Sequence, residues 1–167
     1  MFISPQTAID NGWITGIVDP AEQVQPNAID FTLDTVYSIN ENATFVLGKK
    51  DKKMRGGDIL PPDENGNWTI APNTVHDGMS DMYANLPEDV AALLIIRSTL
   101  NRNGIFLTSG LYDSGFQGHV AFAIHNRSGI ALIEKGVRFG QIIFVESASV
   151  GMYAGGYNHK LGTHHSN

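Results

Sequence analysis

A chain of 167 residues fits one domain and is long enough to bury a core without staples. It has no cysteine, which removes disulfides, thiolate metal sites and cysteine nucleophiles. Its 17 acidic and 11 basic residues leave a net charge of −6, the wrong sign for a face that displaces counterions from duplex DNA or RNA.

A few local arginines can still hold a small phosphorylated ligand against that acidic background. No apolar run approaches the roughly 20 residues that span a bilayer, and Met1 is not followed by a basic segment and an apolar core. A cytoplasmic protein without a membrane partner is expected. Eighteen glycines, seven prolines and many short Val/Ile/Leu/Phe runs indicate a β-rich domain with frequent turns.

In chain order, Ser4-Pro5 predicts a short helix with Ser4 as cap, Pro5 at its first position, Ala8 and Ile9 inward and Gly12 at its end. Asp19-Pro20 and Gln25-Pro26 bracket an expected extended connection. Asn27 to Leu33 alternates as a strand with Ile29, Phe31 and Leu33 on one face. Val36 to Ile39 and Thr44 to Leu47 continue the β pattern. Residues 48–67 carry the run Lys49-Lys50-Asp51-Lys52-Lys53 and paired glycines and prolines, the composition of a solvated insertion or hairpin. Trp68 to Ile70 is a short strand. Pro72 to Leu86 reads as too polar for a buried strand, and His76-Asp77-Gly78 within it reads as a polar loop, since no second ligand pair follows at helical spacing.

Val90 to Ile96 is almost wholly apolar and predicts a strand buried on both faces. Arg97-Ser98-Thr99-Leu100-Asn101-Arg102 follows, room for one or two helical turns with Ser98 as cap and Gly104 as exit. In that arrangement Arg97, Ser98 and Arg102 converge on a helix N-terminus, which suits an anion; a surface salt-bridge cluster fits the spacing equally. Ile105 to Leu107 is a strand, and Thr108-Ser109-Gly110 turns into Leu111-Tyr112-Asp113. His119 to His125 alternates, with Val120, Phe122 and Ile124 on one face and His119, Ala121, Ala123 and His125 on the other. Ile130 to Ile133 and Val137 to Val145 complete the strands. This spacing predicts an all-β barrel or sandwich with a short N-terminal helix and one short internal helix. Residues 1–146 form the domain, and 147–167 a glycine-rich, mobile tail in which Tyr153, Tyr157 and Lys160 stand out. Such a tail is either disordered or a lid over a ligand.

Four segments resemble, in order, motifs of the deoxyuridine triphosphatase (dUTPase) and dCTP deaminase superfamily. They are Gln25 to Leu33, Arg97 to Gly104, Asp113-Ser114-Gly115-Phe116-Gln117-Gly118, and Lys135 to Phe144. The N-terminal helix, the first motif and the R-S-T-L-N-R form resemble the deaminase branch. The resemblance implies a distorted β-barrel of jelly-roll character, a homotrimer with active sites between subunits, and a deoxynucleoside triphosphate ligand. It also implies Mg2+ held largely by phosphate oxygens and water, with Asp30 of the first motif as an outer-sphere contact. Ser98 and Arg102 match phosphate contacts, and Arg97 a supporting arginine. Asp113 matches the acid beside the deoxyribose that orients the attacking water. Phe116 matches the aromatic under the sugar, and Gln141 a ligand-contacting glutamine. Gly155-Gly156-Tyr157 resembles part of the closing tail, which places Tyr157 over the substrate.

One position departs from the deaminase pattern. Where the resemblance expects a glutamate that exchanges protons at cytosine C4, this chain has Phe122-Ala123-Ile124, and an alanine transfers no proton. The expected activity is therefore hydrolysis of dUTP, or of a modified deoxyuridine triphosphate, to the monophosphate and pyrophosphate. Deamination of dCTP and non-catalytic, regulatory deoxynucleotide binding are the alternatives.

Overall fold

The computed structural model describes residues 1–158, so the part of the tail that carries Lys160 lies outside the described residues. The chain opens with α1 (Pro5–Asp10), β1 (Ile14–Thr15), α2 (Pro20–Gln23), β2 (Ile29–Thr32) and β3 (Thr35–Tyr37). β4 (Val46–Leu47), β5 (Lys52–Lys53), β6 (Ile59–Leu60), β7 (Asn67–Ile70) and β8 (Thr74–Asn85) follow. The rest comprises β9 (Val90–Ile96), α3 (Ser98–Arg102), β10 (Ile105–Thr108), β11 (Leu111–Tyr112), β12 (Gln117–Asn126), β13 (Ala131–Glu134) and β14 (Arg138–Glu146).

Every pairing is antiparallel. One sheet runs β10-β12-β8-β3-β6 with β1 also on β8; a second runs β11-β9-β14-β2; β13-β7 and β4-β5 are separate ribbons. The two larger sheets meet through aromatic rings. Phe122 of β12 lies 4.9 Å from Phe31 of β2 and 5.2 Å from Phe139 of β14, centroid to centroid. All three are at most 2% exposed, so this contact seals the core that alternating apolar residues predict. The all-β expectation holds. Among the described residues, no helix is long and apolar enough to cross a membrane.

Four local expectations need correction. The stretch from Thr74 to Asn85, read as too polar for a buried strand, is a twelve-residue strand at the centre of the larger sheet. Part of its polarity is met by a residue distant in sequence: Asp34 Oδ2 accepts from the Asp81 N–H at 2.9 Å and the Ser80 hydroxyl at 3.3 Å. Gly78 leaves the space that the Phe122 ring fills, since a Cβ there would stand 2.7 Å from that ring. The connection between the two X-Pro pairs is not fully extended but contains α2, whose first turn Asp19 caps by accepting from the Glu22 N–H. Ser4 precedes α1 without a side-chain cap. β9 is buried only at Val90, Ala91 and Ala92, while Leu93 and Ile95 are 40% and 43% exposed. Apolarity alone does not distinguish a core face from an outward one.

Candidate functional site

β11 of one sheet, with β12 and the central strand β8 of the other, borders a cavity of about 360 Å³. Its walls include Asp77, Tyr112, Phe116, Ala121, Ala123 and Tyr157. β12 positions two of them by simple alternation: Val120, Phe122 and Ile124 are buried in the core, so Ala121 and Ala123 turn to the opposite face and line the cavity. The methyl groups leave room where larger side chains would fill it.

Aromatic rings close the other side. Phe116 packs edge-on to Tyr112 at 4.6 Å and meets Tyr153 at 5.7 Å. The Tyr112 hydroxyl donates to the Ala121 carbonyl at 2.8 Å and receives the Ala121 N–H at 2.9 Å, which ties β11 to β12 across the wall. Burial pushes this phenol up to about 12, so it remains a neutral donor.

The C-terminal segment through Asn158 is attached to the loop that joins β11 to β12 and to the start of β12. The Tyr153 N–H donates to the Ser114 carbonyl at 2.7 Å, and Asn158 Oδ1 accepts from the Gln117 N–H at 3.0 Å. Gly115, at φ +81, lets Met152 approach where a Cβ would collide with it. Tyr157 reaches the cavity and receives a hydrogen bond from Lys52 Nζ at 3.3 Å, with the ammonium 5.4 Å from the ring centroid. One member of the exposed lysine run thereby touches the tail.

Asp77 is 4% exposed and stands in register with Ala123 on the neighbouring strand. Burial pushes its carboxyl up to about 7, against the opposing effect of the Gly78 N–H. His119, also at the cavity, places Nδ1 3.3 Å from the Ser80 carbonyl, and His125 Nε2 is 3.0 Å from the Thr108 hydroxyl.

A second polar centre lies on the other sheet. Asp30 of β2 is 2% exposed and accepts from Gln141 Nε2 at 2.9 Å; Arg97 Nε is 3.5 Å and Arg138 Nη1 3.4 Å from its other oxygen. The β14–β2 register, which pairs Gln141 with Asp30, makes this meeting possible. Arg97 also donates to the Arg138 carbonyl at 3.0 Å, and Arg138 pairs with Glu22 at 2.9 Å. Arg97 is thus committed to this cluster, and α3 is a single short turn with Ser98 and Arg102 exposed on it.

The residues singled out from sequence fall into three places. Phe116 and Tyr157 line the cavity, Arg97 and Gln141 meet at Asp30, and Asp113, Ser98 and Arg102 are exposed outside the cavity wall of this chain. Sequence reasoning missed Tyr112, Arg138 and Asp77 as site residues. In sequence, His76-Asp77-Gly78 reads as a polar loop, and nothing local to that segment marks Asp77 as buried.

The Mg2+ implied by the resemblance finds no resident cage. Asp30 already receives two guanidiniums and an amide, and the described residues contain no group of three or more His, Asp or Glu that could hold a metal. These donors do not fit a protein-bound centre.

A family model described as dCTP deaminase-like matches residues 6–147. The chain is 31% identical to a dCTP deaminase of Pyrobaculum islandicum over 150 residues, 87% of this chain and 84% of that one. It is 28% identical to a probable deoxyuridine 5'-triphosphate nucleotidohydrolase of Methanococcoides burtonii over 133 residues, 78% of this chain and 77% of that protein. A solved 2'-deoxycytidine 5'-triphosphate deaminase from Agrobacterium tumefaciens shares the fold, with a TM-score of 0.66 at 18% identity. That match covers 86% of this chain and 47% of the other, so this chain spans about half the length of that relative.

Proposed function

The chain belongs to the dCTP deaminase-like family, and from that premise we propose that it is a dUTP diphosphatase. It converts Mg2+-bound dUTP, or a modified deoxyuridine triphosphate, and water to the monophosphate and pyrophosphate. Position 123 carries this reading: the strand that lines the cavity presents the methyl group of Ala123, which exchanges no proton with a base.

The pyrimidine and sugar occupy the cavity, with the flat Phe116 ring against the deoxyribose. Asp113, exposed in the loop that joins β11 to β12, orients the water whose oxygen attacks the α-phosphorus; the bond to the bridging oxygen breaks and pyrophosphate leaves. Ser98 and Arg102 contact the phosphates, and Arg102 stabilises charge developing on them. Arg97 and Gln141, fastened to Asp30, support that side. A metal ion, when bound with the nucleotide, would offset phosphate charge. Asp30 is at most an outer-sphere neighbour of it.

The separation of these groups within one chain supports assembly of the site from neighbouring subunits, in the homotrimer that the resemblance implies. Exposed Leu93 and Leu111, paired on adjacent strands, and Ile95 supply an apolar strip beside Asp113 suited to burial there. Incubation with Mg2+ and a panel of deoxynucleoside triphosphates, with chromatographic identification of products, tests the assignment. Absence of pyrophosphate from dUTP sinks it.

A second reading draws support from Asp77. A buried carboxyl in register with Ala123 offers proton exchange from the adjacent strand, so dCTP deamination remains chemically open. Ammonia release and loss of cytosine absorbance at high enzyme concentration distinguish it.

A further inference from the structure

We propose that Asp77 reads the exocyclic group at C4 of the bound pyrimidine and makes the protein's base preference depend on pH. The inference rests on the cavity being the base end of a deoxynucleotide site.

The cavity has flat aromatic walls at Tyr112 and Phe116 and methyl walls at Ala121 and Ala123, dimensions that admit a planar ring. A ring slid between them must bring its polar edge to a polar group or lose hydrogen bonds. The neighbouring polar side chains have partners within the protein. The Tyr112 hydroxyl closes on the Ala121 backbone, Thr108 meets His125, and His119 meets the Ser80 carbonyl. Asp77 is the carboxyl on the wall, beside the space left by Ala123.

Chemistry then sets what it can read. A protonated carboxyl both donates and accepts, so it satisfies either the 4-oxo group of uracil or the 4-amino group of cytosine. An ionised carboxylate only accepts; it keeps the amino group and repels the oxo group. The groups that face Asp77 are Tyr37, its register partner on β3, Tyr112 on β11, and His119 and His125 on the same face of β12. The two phenols are held neutral by burial, Tyr37 being raised by it as well. The carboxyl itself titrates near 7 because it is buried, so the loss falls in the neutral range.

The test is calorimetric binding of dUMP and dCMP at pH 6 and pH 8; the ratio of their dissociation constants cancels the titration of the shared phosphate. The ratio is expected to move about tenfold toward dCMP at pH 8, one decade of carboxyl titration. In Asp77→Asn, whose amide donates and accepts without a proton to lose, the ratio is flat with pH and dUMP binding at pH 8 exceeds that of the parent about tenfold. A carboxyl-resolved NMR titration of the unaltered protein adds a check that needs no variant: dUMP raises the Asp77 midpoint and dCMP does not. A pH-independent ratio in the parent, or the same pH dependence in Asp77→Asn, overturns the proposal. Both readouts are equilibrium binding. A protein that shows this signature yet releases no pyrophosphate keeps the inference and loses the hydrolase assignment.

Discussion

Asp30 and Asp77 are the same side chain at nearly the same burial, 2% and 4% exposed, in opposite surroundings. Asp30 meets Arg97, Arg138 and Gln141, so its charge is compensated where it stands. Asp77 stands among phenols and methyl groups, and burial drives its carboxyl toward the neutral form. Burial by itself does not decide what an acid does in a protein. A paired carboxylate organises neighbouring side chains, whereas one poised near neutrality can respond to a ligand's proton pattern.

Four measurements would break or sharpen that contrast. The exposed Asp113 sets the outer reference: as the acid that orients water, its Asp113→Asn variant is expected to lose about a thousandfold in pyrophosphate release while dUTP binding is retained, checked by turnover assay and calorimetry. Undiminished turnover would move the chemistry to one of the two buried acids.

Asp77→Asn tests the poised acid through stability. Its folded midpoint near 7 lies above the ordinary carboxylate value of roughly 4. The native state therefore holds a proton between pH 4 and 7 that the unfolded chain has released, and stability falls as pH rises through that window. The asparagine variant is expected to flatten this slope and to be more stable than the parent at pH 8 by up to ~4 kcal/mol, read by urea denaturation at pH 5 and pH 8.

Asp30→Ala should move stability the other way. Removing the shared acceptor leaves two half-buried guanidiniums facing each other, a loss of about 2–3 kcal/mol at neutral pH after allowance for their solvent contact. An unchanged denaturation midpoint would show that the cluster contributes only geometry. Tyr157→Phe probes the edge of the cavity: it removes the hydrogen bond from Lys52 but keeps the ring beneath the ammonium. The expected change is a two- to threefold rise in KM with kcat preserved, since one exposed hydrogen bond contributes about 0.5 kcal/mol.

Much of the architecture was legible along the chain because its physical cause is local. The alternation from His119 to His125 correctly separated the core face from the face that lines the cavity, as a period of two requires. Gly104, at φ +79 after α3, ends that helix as its position suggested. The segment from Thr74 to Asn85 was misjudged because Asp34, distant in sequence, accepts from the Ser80 hydroxyl and the Asp81 backbone N–H within it. β9 was misjudged for a related reason: composition records that Leu93 and Ile95 are apolar, while their exposure depends on what covers the second sheet.

The same division holds for the site. Residue order alone specified the family motifs, the missing carboxyl at Ala123 and the chemistry open to Asp113, because these depend on which side chains are present. Only the tertiary structure decided that Arg97 turns to Asp30 rather than to Ser98, and that Asp77 stands in register with Ala123 at the cavity. Strand register and burial are properties of pairs of segments, and no single segment encodes the partner against which it will lie.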